Sequence, residues 1–322
     1  MHKNRKPTII LLFLICAVVI SLVLNLTSFK SDKTNRQSNM QLPTQITTEL
    51  SDITVTENYI VNTTCDAPYA IFYNVTDDSI LFKKDIHQHI HPASLTKLLT
   101  ACVALKYVSS DTVFSVGSEM SLVPKGSSLC LISQGHKLTL YDLLTGMLLA
   151  SGNDASYTIA VNVSRHINPQ LNMSDTEAVD YFVTLMNDFA AEIKMQESNF
   201  CNPCGWDDVE QFTTIFDLLT LSKFALNISE VKSIVSCSKK YVLFVSGESI
   251  TWTNTNNLLN PKSEFYCQDA IGMKTGTTNG AGRWLIGAFS NNNKTYIAIV
   301  SGCTDDNQRY ASLLQLYKDI IK

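Results

Sequence analysis

A serine, two residues and a lysine open an apolar run in "HPASLTKLLTACVAL", residues 91–105. A hydroxyl such as that of Ser94 becomes a nucleophile when a neighbour takes its proton, and Lys97 stands within reach on one side of a helix. The same spacing also suits an ordinary serine cap. Ser-x-x-Lys recurs at Ser229–Lys232 and Ser236–Lys239, so the pattern alone does not choose. A second polar pair, Ser151 and Asn153, interrupts apolar segments in "HKLTLYDLLTGMLLASGNDASYTIAVNV", and its spacing recurs at Ser290–Asn292. A third group, Lys274-Thr275-Gly276, occurs once.

The elements that carry these groups are legible. Leu95, Leu98, Leu99, Cys102 and Leu105 recur at helical spacing, which places Ser94 in a first turn or at an N-cap. "LTLYDLLTGMLLA" is helical, "SGNDAS" breaks it, and a second helix runs over roughly Ser156 to Ser164. Ser151 and Asn153 therefore fall on a short turn between helices. "EAVDYFVTLMNDFAAEIKM" and "TTIFDLLTLSKFAL" predict further helices, the latter capped by Thr213 or Thr214. "YAIFYNVTDDSILFKK" reads as two strands around a polar turn. "AIGMKTGTTNGAGRWLIGAFSNNNKTYIAIVSGC" reads as strand, Gly-rich turn, strand, hairpin, strand, with Lys274–Gly276 at the end of the first. "QRYASLLQLYKDII" closes the chain as an amphipathic helix. Strands at both ends with helices between predict an α+β domain with one antiparallel sheet flanked by helices.

Length and composition bound the rest. The 322 residues are 45% hydrophobic and 17% charged, enough for a sizeable core. A net charge of -4 provides no basic field, so no nucleic-acid partner is expected. Lys3, Arg5 and Lys6 precede an uncharged apolar run from Thr8 to Leu26, long enough to cross a hydrocarbon core of roughly 30 Å. The cationic flank puts residues 1–7 in the cytoplasm and all that follows the span outside. Residues 8–28 are expected to be an uncleaved signal anchor, with a cleaved signal peptide as the alternative. The polar stretch 29–58 reads as a flexible linker, and the folded domain as residues 59–322.

Eight of nine cysteines lie beyond the span, in a compartment that permits disulfides. Cys201 and Cys204, in "CNPCGW", read as a local disulfide or two free thiols, because no second pair completes a zinc set. His87, His89 and His91 alternate, so an extended segment presents all three on one face, as a metal site or as a solvated edge.

The ordered set Ser94-x-x-Lys97, Ser151-x-Asn153 and Lys274-Thr275-Gly276 is similar to the three-part signature of penicillin-binding proteins and serine β-lactamases. "HPASLTKLLTA", "SGNDAS", "NPCGWDD", "TNTNNLL" and "GMKTGTTNGAG" resemble, more narrowly, the low-molecular-mass serine-type D-alanyl-D-alanine carboxypeptidases, over about residues 65–322. The resemblance implies a DD-peptidase/β-lactamase-like fold with a helical subdomain. It implies Ser94 as nucleophile, Lys97 as its base and Ser151 as a proton relay. Asn153, Lys274, Thr275, Gly276 and Thr277 would bind substrate, with the N–H groups of Ser94 and Thr277 as oxyanion hole. A second cation, Lys274, is expected to push a proton off Lys97. The implied reaction removes the terminal D-Ala of a peptidoglycan stem peptide through an acyl-serine, β-lactams being inhibitors, without metal or organic cofactor.

This chain departs from the pattern in two places. Many members carry a further all-β domain and a C-terminal amphipathic anchor, for which the 45 or so residues after Gly276 leave no room, so the N-terminal anchor is expected to replace that tail. Thr255 stands where some members place Arg. Three rival readings share the motifs: a β-lactamase, a non-catalytic β-lactam- or muropeptide-binding surface protein, and a transpeptidase. For the first, Glu177, Glu192 and Glu197 lack a matching "Glu-x-x-Leu-Asn" context. If the chain is the bacterial wall enzyme that the resemblance implies, the Asn-x-Ser/Thr sequons at Asn62, Asn74, Asn162, Asn172, Asn227 and Asn293 report only an Asn- and Thr-rich composition.

Overall fold

A computed structural model describes residues 61–321. The expected cytoplasmic segment 1–7, anchor 8–28 and linker 29–58 lie outside the described residues. Among those described, no helix is long and apolar enough to cross a membrane.

The chain enters through β1 (Tyr69–Asn74) and β2 (Ser79–Lys84), the predicted hairpin. A 3-10 turn, Ala93–Leu95, runs into α1 (Thr96–Tyr107). Short strands β3 (Val113–Ser115) and β4 (Lys137–Thr139) bracket a long irregular segment. Four helices follow: α2 (Leu140–Leu149), α3 (Asn153–Ile167), α4 (Asp175–Glu192) and α5 (Ile215–Leu226). A short helix, α6 (Ser229–Val235), leads to the hairpin of β5 (Lys239–Leu243) and β6 (Ser249–Thr253). Strands β7 (Ala270–Thr278), β8 (Gly282–Asn291) and β9 (Lys294–Cys303) precede the closing helix α7 (Asp306–Ile321).

The two ends of the chain pair as expected, in one antiparallel sheet of order β2-β1-β9-β8-β7. Its central strands are buried on both faces, which is why "RWLIGAF" and "TYIAIV" are nearly continuous apolar runs instead of alternating ones. One face packs on α7 through Phe72, Phe289, Leu313 and Tyr317. The other covers a larger core shared with the helical subdomain, where α1 is buried from Thr96 to Leu105. A helix buried on every side belongs inside a domain, and α1 is that helix, although it carries Thr96, Lys97 and Thr100.

Local chemistry sets the helix starts. Thr214, one of the two predicted caps, accepts from Asp217 N, while Ser174 and Glu177 form a reciprocal capping box on α4. The helix after "SG" begins at Asn153 instead of Ser156, so Asn153 leaves the predicted turn and opens α3. Asp154, whose carboxylate accepts from Ala155 N, suits that first turn. Ser229–Lys232 falls on the exposed side of α6, and Ser236–Lys239 joins α6 to β5.

Candidate active site

Edge strand β7 lies against the 3-10 turn that carries Ser94. A side chain at Gly276 would bring its Cβ to 3.2 Å from Ala93 Cβ and 3.4 Å from Ser94 N, so the strand approaches this closely only with glycine there. From below, the turn rests on the loop 201–206. Its hub is Asn202 Oδ1, which accepts from the N–H groups of Cys204, Gly205 and Trp206. Gly205, at φ +83°, is so near that a Cβ would sit 1.7 Å from Ala93 O. Ala93 (φ 48°) and Ser151 (φ 59°) both occupy the left-handed region that L side chains avoid. Such strain persists where surrounding structure over-determines it, often at a functional site.

These elements bring the three sequence groups together. Lys97 Nζ donates to Ser94 Oγ at 2.9 Å, to Asn153 Oδ1 at 2.7 Å and to the carbonyl of Cys204 at 2.7 Å. Lys274 Nζ donates to Ser151 Oγ at 3.0 Å and to Thr275 O at 3.0 Å. Both lysines are fully buried. Burial is the largest influence on Lys97 and brings its pKa down to about 8, against the carboxylate of Asp154, which favours the charge. Lys274 is held well below the usual lysine value, first by burial and then by the positive charges of Lys97 and Arg309. Burial is thus the larger influence on both lysines, and the repulsion between the two cations, expected from the sequence, adds to it.

The remaining predicted residues also line up on β7. Thr275 Oγ1 lies 2.6 Å from Thr255 Oγ1, the position that lacks Arg. Asn254 and Asn256, on either side, shape that turn: Asn254 Oδ1 accepts from Asn256 N, and Asn256 Oδ1 from Leu258 N. This is the physical content of "TNTNNLL". Thr277 is exposed at the end of the strand, where it accepts weakly from Arg283. Ser94, Asn153, Cys204, Gly205 and Thr277 line a cleft of about 330 Å³, together with Ser127, Ser128, Trp206, Asp207, Thr278 and Asn279.

Two residues of this neighbourhood carry no local sequence signal. Arg309, on α7 and buried, donates to Gly276 O at 3.5 Å and Trp284 O at 3.3 Å, placing a guanidinium behind the strand. Asp207 accepts from Thr278 Oγ1 at 2.6 Å and Gly280 N at 3.0 Å, tying the β7–β8 turn to the 201–211 loop. Each is far in sequence from the group it touches. "NPCGWDD" drew attention to the second only as part of a resemblance.

Other candidates are dispersed. His87 pairs with Glu197, His89 stacks on Phe212 and His91 meets the carbonyl of Gln211, so the three do not share a site. Among the described residues no three His, Cys, Asp or Glu side chains are placed to hold a metal ion. Cys201 and Cys204 are free thiols, as are the other six described cysteines. Glu177 caps α4, Glu192 pairs with Lys106 and Glu197 contacts His87 and Thr214, so none of the three lines the cleft.

Residues 54–305 match the family described as D-alanyl-D-alanine carboxypeptidase. The chain is 29% identical over 258 residues to the D-alanyl-D-alanine carboxypeptidase DacD of Salmonella typhimurium, covering 76% of this chain and 60% of that one. It is 24% identical to DacF of Bacillus subtilis, over 78% of this chain and 61% of the relative. It therefore spans about three fifths of the length of these relatives. Among solved structures, the Streptomyces K15 DD-transpeptidase superposes with a TM-score of 0.73 at 24% identity, covering 81% of this chain and 98% of that one. DacD of Francisella tularensis gives 0.67 at 23% identity, over 84% and 73% of the respective chains. The domain therefore has the DD-peptidase fold.

Proposed function

The chain belongs to the D-alanyl-D-alanine carboxypeptidase family, and from that premise we propose that it removes the terminal D-Ala of peptidoglycan stem peptides through an acyl-Ser94 intermediate. The observation that carries this reading is the 2.9 Å contact of a fully buried Lys97 with Ser94 Oγ. In its neutral form the amine keeps its bonds to Asn153 Oδ1 and Cys204 O and accepts the third from the serine hydroxyl.

The steps follow from the positions. The substrate extends along the free edge of β7, its terminal carboxylate drawn by Lys274 and Arg309 and hydrogen-bonded by the Thr275 hydroxyl. Lys97 takes the Ser94 proton as Oγ bonds to the carbonyl carbon of the penultimate residue. The N–H groups of Ser94 and Thr277 hold the oxygen that becomes negative. The C–N bond breaks, the amine leaving as free D-Ala with a proton passed through Ser151. A water then adds to the ester, giving its proton to Lys97, which passes it to Ser94 Oγ as the acyl C–O bond breaks and the shortened peptide leaves. With an amine acceptor in place of water, the same ester gives transpeptidation. A β-lactam acylates Ser94 by opening its ring, so it retains its leaving amine and stalls the site. That no Glu of the three candidates reaches the cleft favours a long-lived adduct over β-lactamase turnover. Residues 8–28 anchor the chain, 29–58 tether it, and the domain 59–322 works outside the membrane; the cationic flank and the apolar run support this.

The test is intact mass against time after adding one equivalent of penicillin, with release of D-Ala from a stem pentapeptide measured in parallel. A persistent adduct lost in Ser94→Ala, with D-Ala release by the wild type, is expected. Drug destroyed without an adduct would make the protein a β-lactamase. Unchanged protein and drug would leave a binding-only role.

A further inference from the structure

Asp154 follows Asn153 on the first turn of α3 and is buried. Its Oδ1 accepts from Cys130 N at 2.9 Å and Ala155 N at 3.0 Å, and its Oδ2 from Ile132 N at 3.2 Å. Cys130 and Ile132 belong to the irregular segment between β3 and β4, which supplies Ser127 and Ser128 to the cleft wall. The wall returns one bond, since Ser128 O accepts from Asn153 N at 2.8 Å. Asn153 Oδ1 in turn holds Lys97. A Cβ on Gly152 would sit 2.6 Å from Asp154 Oδ1 and 2.7 Å from Cys130 Sγ, so the glycine between Ser151 and Asn153 is what lets carboxylate and wall close together.

Behind the cleft, the buried cluster holds two lysines, with Arg309 close to Lys274. The titratable groups that face Lys97 are Asp154 from α3, Cys204 from the loop, Cys130 from the wall and Lys274 from β7. Arg309 acts on Lys274 from α7, and Tyr157 contacts Cys204 from α3. Each thiol is held protonated by burial before anything else, which leaves Asp154 as the group that brings negative charge to Lys97.

We propose that Asp154 is a positioning residue for acylation: its carboxylate fastens the wall 128–132 to the start of α3 and is the fixed anion of the buried lysine cluster. The proposal rests on the function argued above for its catalytic consequence, but not for its electrostatic one. Without that anion the Lys97 ammonium loses a stabilising neighbour and deprotonates at lower pH. With slack in the wall, Asn153 and Lys97 lose their fixed geometry, and the acylation plateau falls.

The experiment uses the full chain in detergent micelles, labelled with 13C at lysine Cε. The Lys97 resonance is assigned by its loss in Lys97→Arg, and its titration midpoint is read whether or not the protein is acylated. Acylation by a fluorescent penicillin is followed over the same pH range. In Asp154→Asn the midpoint should fall by about one pH unit and the acylation plateau by about tenfold. Trp252→Phe removes the indole bond to Cys130 O (2.7 Å) and slackens the wall while keeping the charge. It should lower the plateau and leave the midpoint in place. An unmoved midpoint in Asp154→Asn overturns the inference, as does a Trp252→Phe midpoint that falls equally. If Asp154→Asn does not fold, the Trp252→Phe result alone decides: an unaffected plateau or a moved midpoint overturns the proposal. A shifted midpoint in a protein that penicillin never acylates would overturn the proposed function and leave Asp154 as the anion of the cluster.

Discussion

Lys97 Nζ stands 2.9 Å from Ser94 Oγ, and burial holds that lysine at a pKa of about 8. In the proposed mechanism acylation uses the neutral amine. The sign is therefore fixed: a lysine with a lowered value gains its active form as pH rises through that value. The second-order rate of acylation by a chromogenic penicillin should climb from pH 6 and reach half its plateau near 8. Lys97→Arg, which keeps a positive charge and cannot give up its proton, should lose about 10³-fold at every pH. A rate that is flat between pH 6 and 9 would remove Lys97 as the base.

Lys274 is buried beside Ser151 and is repelled by two cations, an arrangement that an incoming carboxylate relieves. Lys274→Gln should lower kcat/KM for a stem peptide by roughly a hundredfold, the equivalent of about 2–3 kcal/mol for a charge-assisted bond. A peptide amidated at its C-terminus separates capture from chemistry. The wild type should strongly prefer the free acid, and the variant should hardly distinguish the two. Equal preference in both proteins would take the carboxylate away from this strand.

Gly205 is where the loop and the nucleophile's turn meet. A methyl group there would overlap Ala93 O at 1.7 Å and would also sit at φ +83°. Gly205→Ala should destabilise the domain by about 3 kcal/mol, roughly 6–12 °C in Tm for a domain of this size. It should also slow acylation, because Ala93 precedes Ser94. Gly247, at φ +105° in the β5–β6 turn, has nothing within 4 Å of its virtual Cβ. Gly247→Ala should lower Tm by only about 2–4 °C, the backbone effect alone, with acylation unchanged. Equal losses in the two variants would mean that loop 201–206 does not set the nucleophile's position.

What the sequence disclosed divides along physical lines. The sheet was readable because β1, β2 and β7–β9 are strongly apolar and bounded by turn residues, and Ser94, Lys97 and Lys274 because they sit on such elements. The β5–β6 hairpin was not: one side chain in five of each strand is buried, so neither carries a hydrophobic period. The start of α3 was read three residues late, because "SGNDA" has the composition of a loop while Asp154 is in fact bonded along the helix's first turn. Arg309 and Asp207 were missed since the partners that matter, Trp284 and Gly276 for the one and Thr278 for the other, lie at least 25 residues away, and no local pattern encodes a contact of that length. The repulsion between the two lysines was readable from their charges, but the larger effect of burial was not, because composition says nothing of burial.

Thr255 and Thr275 provide the last prediction, through hydroxyls 2.6 Å apart. One of the two must donate to the other, so a Thr275 hydroxyl that turns to meet a substrate carboxylate needs Thr255 as its acceptor while it waits and as its fixed partner when it binds. The peptide carbonyl of Thr255 is itself held by the Tyr310 hydroxyl at 3.2 Å, so the position is set from the α7 side and does not depend on the threonine side chain. Thr255→Val is therefore expected to leave the turn in place and remove only the hydroxyl, raising KM for the stem peptide by roughly tenfold, about 1.4 kcal/mol. Thr275→Val should lose at least as much, since it removes the contact and its partner's reason to be ordered. The double variant should be little worse than Thr275→Val alone, leaving a coupling of about 1 kcal/mol between the sites. Steady-state kinetics on the four proteins measures it. Losses that simply add would mean that the two hydroxyls act separately, and that Thr255 is no more than a neighbour of the substrate strand.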